Sequence, residues 1–280
     1  MSDKTAPLPY FNSLLKRLKD HPELRQAFGR HVHWGYWPTP PSQRPDAAAF
    51  AQAAERLSIE VCNAANPADG MRILDVGCGL GGTVVGLAER HGHVRLVGLN
   101  IEHRQLRVAQ GVVASSGTKR IAWVCGNACQ LPFANETFDA ITAVECIFHF
   151  PDRLAFLREA FRVLKPGARL ALSDFIAKRR LRPLTWLRGK LPRAYSFYGQ
   201  CDIHCSIERY RVLAAQAGFA DMQARDITPN TLPTYAFLRD LSQRIGFKHL
   251  PARIDTVFLE QMSKAGWVRY AIIGMQKPVG

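Results

Sequence analysis

The chain has no apolar run approaching the ~18 residues that cross a bilayer, so no membrane-spanning helix is expected. Its opening, Met1–Tyr10, lacks the charged head and apolar core of a secretory leader, and a cytoplasmic location is expected. Internal repeats and low-complexity tracts are also missing. Cysteine is sparse: seven residues, an odd count, scattered through a chain too long to need staples. Cys78, Cys125 and Cys146 sit in apolar or turn contexts, which suits free thiols in a reducing compartment rather than a disulfide framework. Acidic residues are few, 23 against 37 lysines and arginines, for a formal net charge of +14. That balance favours anionic partners, whether nucleic acid, acidic membrane, carrier protein or an anionic substrate, without choosing among them. Hydrophobic content of 47% in 280 residues leaves room for one large α/β domain with insertions, or two modest ones.

What is present is organised around Met71–Thr83, MRILDVGCGLGGT. Ile73, Leu74 and Val76 read as a buried strand. Gly77, Gly79, Gly81 and Gly82 then break the pattern, and Val84, Val85, Leu87 and Ala88 resume it at helical spacing. Strand, glycine turn and helix open a nucleotide-binding βαβ unit, with backbone free to approach a ligand and helix N–H groups aimed at it. Gly77, Gly79 and Gly82 also satisfy the dinucleotide fingerprint. Asp75 discriminates: a carboxylate beside the turn repels a pyrophosphate and suits an ammonium. A nicotinamide-dependent enzyme and a plain structural turn remain the alternatives.

Around this unit, Tyr10–Phe28 reads as an amphipathic helix, followed by His31-Val-His33-Trp34-Gly35-Tyr36-Trp37 and a proline-rich turn. Asp46 is placed to cap a helix over about 47–65. Further strands are expected at His93–Leu99, Ile121–Cys125, Phe138–Glu145, Ala168–Asp174, Phe219–Asp226 and Trp267–Met275. Helices are expected at Ile101–Ala114, Asp152–Leu164, Ile207–Ala217, Thr231–Phe247 and Arg253–Lys264. Alternation of this kind predicts an α/β fold with a parallel sheet and ligands at the strands' carboxyl ends.

Asp75–Gly81, Val97–Asn100, Gly126–Phe133, Phe138-Asp139-Ala140 and Leu164-Lys165-Pro166-Gly167 together resemble the successive motifs of class I S-adenosylmethionine (SAM) dependent methyltransferases, over roughly residues 50–175. HWGYW and GLNIEHRQL are similar to the tocopherol, natural-product and sugar O-methyltransferase branch. The resemblance implies a Rossmann-like, seven-stranded, mostly parallel sheet with helices on both faces and an antiparallel last strand. It also implies helical lid or cap insertions: residues 1–45 as a lid, 46–280 as the SAM-binding domain, and caps at about 176–206 and 230–265. Cofactor contacts are implied at Asp75, Gly77, Gly79, Gly81, Asn100, Ile101, Gln105, Asn127, Ala128 and Glu145. Two positions depart from the family: Asn100 and Asn127 stand where carboxylates are usual, and both keep an acceptor oxygen.

Methyl transfer asks the protein for orientation, water exclusion and sometimes a base. His149, after the fourth strand, is the first candidate base, since imidazole accepts a proton near neutral pH; a structural histidine at a helix start is the alternative. Asp174, ending the fifth strand, is expected to orient His149 or bind a substrate hydroxyl, unless it is a helix cap or surface acid. Trp34 and Tyr36 are read as lid residues over the sulfonium, where a ring gains roughly 0.5–2 kcal/mol from a cation, with an aromatic core cluster as the alternative. His31 and His33 receive no role. Cys201, His204 and Cys205 lack a second ligand pair, and no metal is expected. The cation-rich stretch Lys178–Arg193, with Leu184, Trp186 and Leu187, is read as holding an anionic substrate or resting on a membrane surface, or as a solvated loop.

The expected function is therefore methyl transfer from SAM to a small-molecule hydroxyl, with His149 as base. C- or N-methylation of an anionic or lipophilic acceptor such as a prenyl compound is the alternative. An RNA-binding protein or RNA methyltransferase is the reading from another class, prompted by the charge. Dispersed cations, no RNA-binding module and Glu145-Cys146-Ile147-Phe148 in place of an N/D-P-P-Y motif weigh against it.

Overall fold

The strand and helix signals assemble into a layered α/β architecture in the computed structural model, which describes residues 17–116, 121–178, 201–202, 204–246 and 250–279. Seven strands form one sheet: β1 (Arg72–Val76), β2 (Arg95–Asn100), β3 (Ile121–Cys125), β4 (Phe138–Ala143), β5 (Leu164–Ala177), β6 (Ala220–Asp226) and β7 (Val268–Gln276). Their order is β3-β2-β1-β4-β5-β7-β6. The first five run parallel, and β7 lies antiparallel to β5 and β6. This is the mostly parallel sheet with an antiparallel last strand that the resemblance implies. The order reverses between β1 and β4, and the crevice outside their carboxyl ends is where such sheets hold ligands.

The helices are α1 (Pro22–Phe28), α2 (Ala47–Ala65), α3 (Gly82–Arg90), α4 (His103–Ser116), α5 (Arg153–Val163), α6 (Ile207–Ala217), α7 (Thr228–Arg244) and α8 (Leu250–Lys264). Asp46 caps α2 by accepting from the Ala49 N–H, Asp152 caps α5 through Leu154 and Ala155, and Ser206 caps α6 through Arg209. Strand alternation sends Leu74 and Val76 to a core shared with Phe156, Leu157 and Leu213, and Ile73 to a second core with Leu57, Val61, Val84 and Leu87. Each fully buried side chain of this size contributes about 1.5–3 kcal/mol, more than the ~1 kcal/mol of a cap. Packing on both faces therefore fixes the sheet, and the caps trim its helices.

Several boundaries differ from expectation. The single helix expected over Tyr10–Phe28 is interrupted: His21 is extended and α1 starts at Pro22, which lacks an N–H and suits the first helical position. Residues before 17 lie outside the described part. β4 stops at Ala143 because Glu145 takes a left-handed φ of 48°. β5 runs on to Ala177 because β7 pairs with it as far as Val268. The segment read as a cap at about 230–265 is helical, formed by most of α7 and α8. Of Lys178–Arg193, only Lys178 is described. Among the described residues, no helix is long and apolar enough to cross a membrane.

Candidate active site

The glycines after β1 divide into two kinds. Gly77, Gly79 and Gly81 all have positive φ, at 70°, 53° and 84°. A Cβ at Gly77 would meet the Cys146 side chain at 2.5 Å, one at Gly81 would meet Trp123 at 2.7 Å, and one at Gly82 the Arg30 carbonyl at 2.4 Å. These three are glycine because the protein's own groups crowd them. A Cβ at Gly79 would meet nothing within 4 Å. Gly79 alone of the four opens onto free space, in front of the first turn of α3.

Beneath the turn, Asp75 is 3% exposed. Burial pushes its pKa up to about 7, and the Thr142 hydroxyl donates to Oδ1 at 2.8 Å. The carboxyl keeps an oxygen for a cation. At the end of β2, Asn100 donates to Gln105 Oε1 at 2.6 Å and accepts from the Glu102 N–H at 3.2 Å. This pairing orients both amides and leaves Ile101, 44% exposed, at the rim. After β3, Asn127 accepts from the Cys129 N–H at 2.9 Å, and Ala128 is buried beside it. The structure thus brings Asp75, Gly79, Asn100, Gln105 and Asn127 along the carboxyl ends of three adjacent strands.

The stretch His33–Trp37 reaches the same edge of the sheet. The Trp34 N–H donates to Glu145 Oε1 at 2.8 Å, and the Tyr270 hydroxyl donates to the same oxygen at 2.6 Å. Burial pushes Glu145 up to about 8. The Trp34 ring meets Phe175 and Tyr235 edge-on at 5.6 Å, while its buried indole N–H has no partner among the described residues. An unpaired buried donor is costly and asks for an acceptor. Tyr36 is placed differently: its N–H is held by the Ala53 carbonyl, and its ring lies 5.9 Å from the guanidinium of Arg225 on the edge strand β6. That contact sets the ring toward the β6 edge.

His149 ends a 3-10 turn, Ile147–His149, immediately beyond β4. It is partly exposed, its ring meets Phe148 at 4.5 Å, and its Nδ1 faces Cys201 Sγ at 3.7 Å. Burial pushes the Cys201 thiol up to about 12, so it stays protonated. Asp174 is neither a cap nor on the surface, and it does not meet His149. It is fully buried, ion-paired with Arg153 at 3.2 Å, and accepts from the Tyr210 hydroxyl and the Phe175 N–H. Burial pushes it up to about 6, and the Arg153 charge keeps it from rising further. Arg153 also grips Asp202 through its side chain and carbonyl, and the Asp202 N–H donates to the Phe148 carbonyl. Arg153, Tyr210 and Tyr270 carried no signal in the sequence, where an arginine after a cap and tyrosines in a helix and a strand are unremarkable.

Known proteins resemble this chain in sequence and in fold. A model described as "Methyltransferase domain" matches residues 74–172. "Methyltransferase GfsG" of Streptomyces halstedii is 34% identical over 75% of this chain and 73% of its own length. "O-methyltransferase resE" of Aspergillus sclerotiorum is 31% identical over 86% of this chain and 90% of its own. Geranyl diphosphate C-methyltransferase from Streptomyces coelicolor A3(2), solved with Mg2+, geranyl-S-thiolodiphosphate and S-adenosyl-L-homocysteine (SAH), shares the fold. Its TM-score is 0.74 at 18% identity, covering 96% of this chain and 98% of that one.

Proposed function

The chain belongs to the SAM-dependent small-molecule methyltransferases, and on that premise we propose that its acceptor is a hydroxyl of a natural-product-type metabolite, with His149 as the base. The cofactor, when bound, supplies an electrophilic methyl group. The residues present fit it: Gly79 leaves the space, and Asp75 offers a buried carboxyl with an oxygen to spare for an ammonium. Asn100 and Gln105 are assigned to the ribose, Asn127 and Ala128 to the adenine. Trp34 and Glu145 are assigned to the lid side of the same site.

The observation that carries the assignment of His149 is the contact between Gly77 and Cys146. It presses the glycine turn against the loop after β4, so the turn holding His149 borders the crevice where the methyl group is delivered. The His149 imidazole is assigned to take the proton that the acceptor hydroxyl loses when it is methylated. Phe148, Phe175 and Trp34 exclude water from this side, and relatives named as O-methyltransferases support the choice of oxygen. The test is His149→Ala: kcat should fall by about 10²–10⁴ while SAH affinity is unchanged. Lost SAH binding would make His149 structural instead.

C- or N-methylation of an anionic or lipophilic acceptor is the second reading. The likeness to a geranyl diphosphate C-methyltransferase and the cation-rich sequence Lys178–Arg193 favour it. Product NMR separates the readings, since a methyl on oxygen and one on carbon resonate far apart.

A further inference from the structure

His31 and His33 lie between the lid, α2 and the first turn of α3, and the mechanism above does not use them. Their side chains are 5% and 9% exposed, with ring centroids 4.8 Å apart. Both nitrogens of each ring are engaged, and the partners dictate where the protons sit. His33 Nδ1 is 2.9 Å from the Trp34 carbonyl, which only accepts, so Nδ1 carries a proton. Burial above all pushes His33 down to about 3, so its Nε2 is a bare lone pair. His31 Nε2 is 2.7 Å from Glu55 Oε2. Burial works to raise Glu55, but its pKa is held below the ordinary value, with the bond to His31 and with Arg30 3.8 Å away, so Glu55 is a carboxylate and His31 Nε2 is its donor.

That leaves His31 Nδ1 facing His33 Nε2 at 3.1 Å. If both were lone pairs they would repel. Ser58 cannot satisfy both, because its hydroxyl lies 3.1 Å from one and 3.4 Å from the other and has a single proton. A second proton on His31 closes the count. His31 Nδ1 then donates to His33 Nε2, and Ser58 is left to pair with Thr83 at 3.0 Å.

We propose that His31 is a buried imidazolium held between Glu55 and neutral His33, and that this histidine pair is the positioning element that docks the lid onto the glycine-turn helix. Its reach explains why. His33 holds the carbonyl of Trp34, the His31 ring fills the space that a Cβ at Gly82 would need, and Ser58 carries the network to Thr83. Gly82 and Thr83 are the first two residues of α3, directly behind Gly79. The charges facing the pair are Glu55 from α2, Arg30 from the chain entering the lid, and Glu89 and Arg90 from α3. Arg30 is 3.8 Å from Glu55 and 3.0 Å from Glu89. Loss of the His31 proton turns a charge-assisted bond into a lone-pair clash, which releases the lid. The effect on cofactor affinity rests on the reading of the crevice given above; the charge state does not.

The test uses the full chain with 15N-labelled histidine, and His31→Gln and His33→Gln for assignment. Long-range 15N correlation should show both His31 nitrogens protonated, and His33 protonated at Nδ1 only. A neutral His31 overturns the proposal. Glu55→Gln keeps an accepting oxygen without the charge; it should return His31 to a neutral ring and weaken SAH binding about tenfold in calorimetry. Unchanged affinity with a neutral His31 overturns the docking role. Should that variant fail to fold, hydrogen exchange of the Gly35 and Tyr36 amides in His31→Gln decides, since their protection should be lost there. Protection that survives the substitution overturns it. A wild-type chain that binds no SAH would refute the cofactor reading instead, leaving the spectrum of His31 to stand by itself.

Discussion

Adding one methyl group at Gly79, and separately at Gly77, separates ligand space from protein packing. Both residues have positive φ, so alanine costs about 1–2 kcal/mol of backbone strain at either. At Gly79 the new Cβ has no atom within 4 Å, and the strain is the whole cost to folding. At Gly77 it would stand 2.5 Å from the Cys146 Cβ and 2.8 Å from its sulfur. Overpacking of that kind adds about 1–3 kcal/mol. Gly79→Ala should therefore lower Tm by only a few degrees, at about 2–4 °C per kcal/mol, and Gly77→Ala by roughly twice as much. Binding should follow the opposite order. The methyl at position 79 stands where the cofactor's closest approach is expected, and a loss of at least tenfold, about 1.4 kcal/mol, is expected in SAH affinity. Thermal melts and calorimetry with SAH measure both quantities. Wild-type affinity in folded Gly79→Ala would mean that the open space is not the cofactor's, and would remove the basis for the site.

The buried carboxyls set a pH dependence. Raising Asp75 from 3.8 to about 7 corresponds to roughly 4 kcal/mol of stability present below pH 4 and lost as pH rises through 7 in the ligand-free protein. Because an ammonium favours the ionised carboxyl, SAH affinity should rise between pH 5.5 and 8, and Asp75→Asn should flatten that rise. An unchanged pH profile in this variant would exclude the carboxyl as the ammonium's partner. Arg153→Met strands Asp174 in the core and should cost about 3–5 kcal/mol in denaturant unfolding, with most of it recovered when Asp174→Asn is added; equal losses in the single and double variants would refute the pairing. Trp34→Phe removes an unpaired buried donor, so the ligand-free protein should stay within about 1 kcal/mol of wild type while SAH binds several-fold more weakly. Unchanged SAH binding would mean that the indole N–H is not directed at the cofactor.

The parts of the fold that were legible are those written in neighbouring residues. β3 and α6 begin and end where expected, the latter because Ser206 caps its start and Gly218 takes the left-handed conformation after its end. The strand, turn and helix around Asp75 follow from spacing alone. Pro22 was also readable as a helix start, and its signal yields the interruption that a run of apolar periodicity hides. The division of labour among the glycines was not readable. Whether Gly77, Gly81 or Gly82 faces a ligand or a neighbour depends on Cys146, Trp123 and Arg30, each at least 42 residues away. The end of β4 was misjudged for a related reason: Glu145 leaves the strand to meet Trp34 and Tyr270, 111 and 125 residues distant.

Asp75, Glu145 and Asp174 show why strand-end carboxyls cannot be ranked from sequence. Asp75 and Glu145 sit at or just beyond the carboxyl ends of central strands, Asp174 lies three residues inside the end of β5, and burial raises the pKa of each. What separates them is how much of each carboxyl is already used. Asp174 has an arginine, a tyrosine and a backbone N–H, and what it holds together is the junction of α5, β5 and α6. Glu145 has two donors on one oxygen, the Trp34 N–H and the Tyr270 hydroxyl from β7. Asp75 has one threonine hydroxyl. A buried carboxyl with a single neutral partner gains more from an incoming cation than one already paired with arginine, because no existing bond must be broken to receive it. The least satisfied of the three is therefore the one to which a cationic ligand contributes most, and it is the one that lies beneath the only open glycine of the turn.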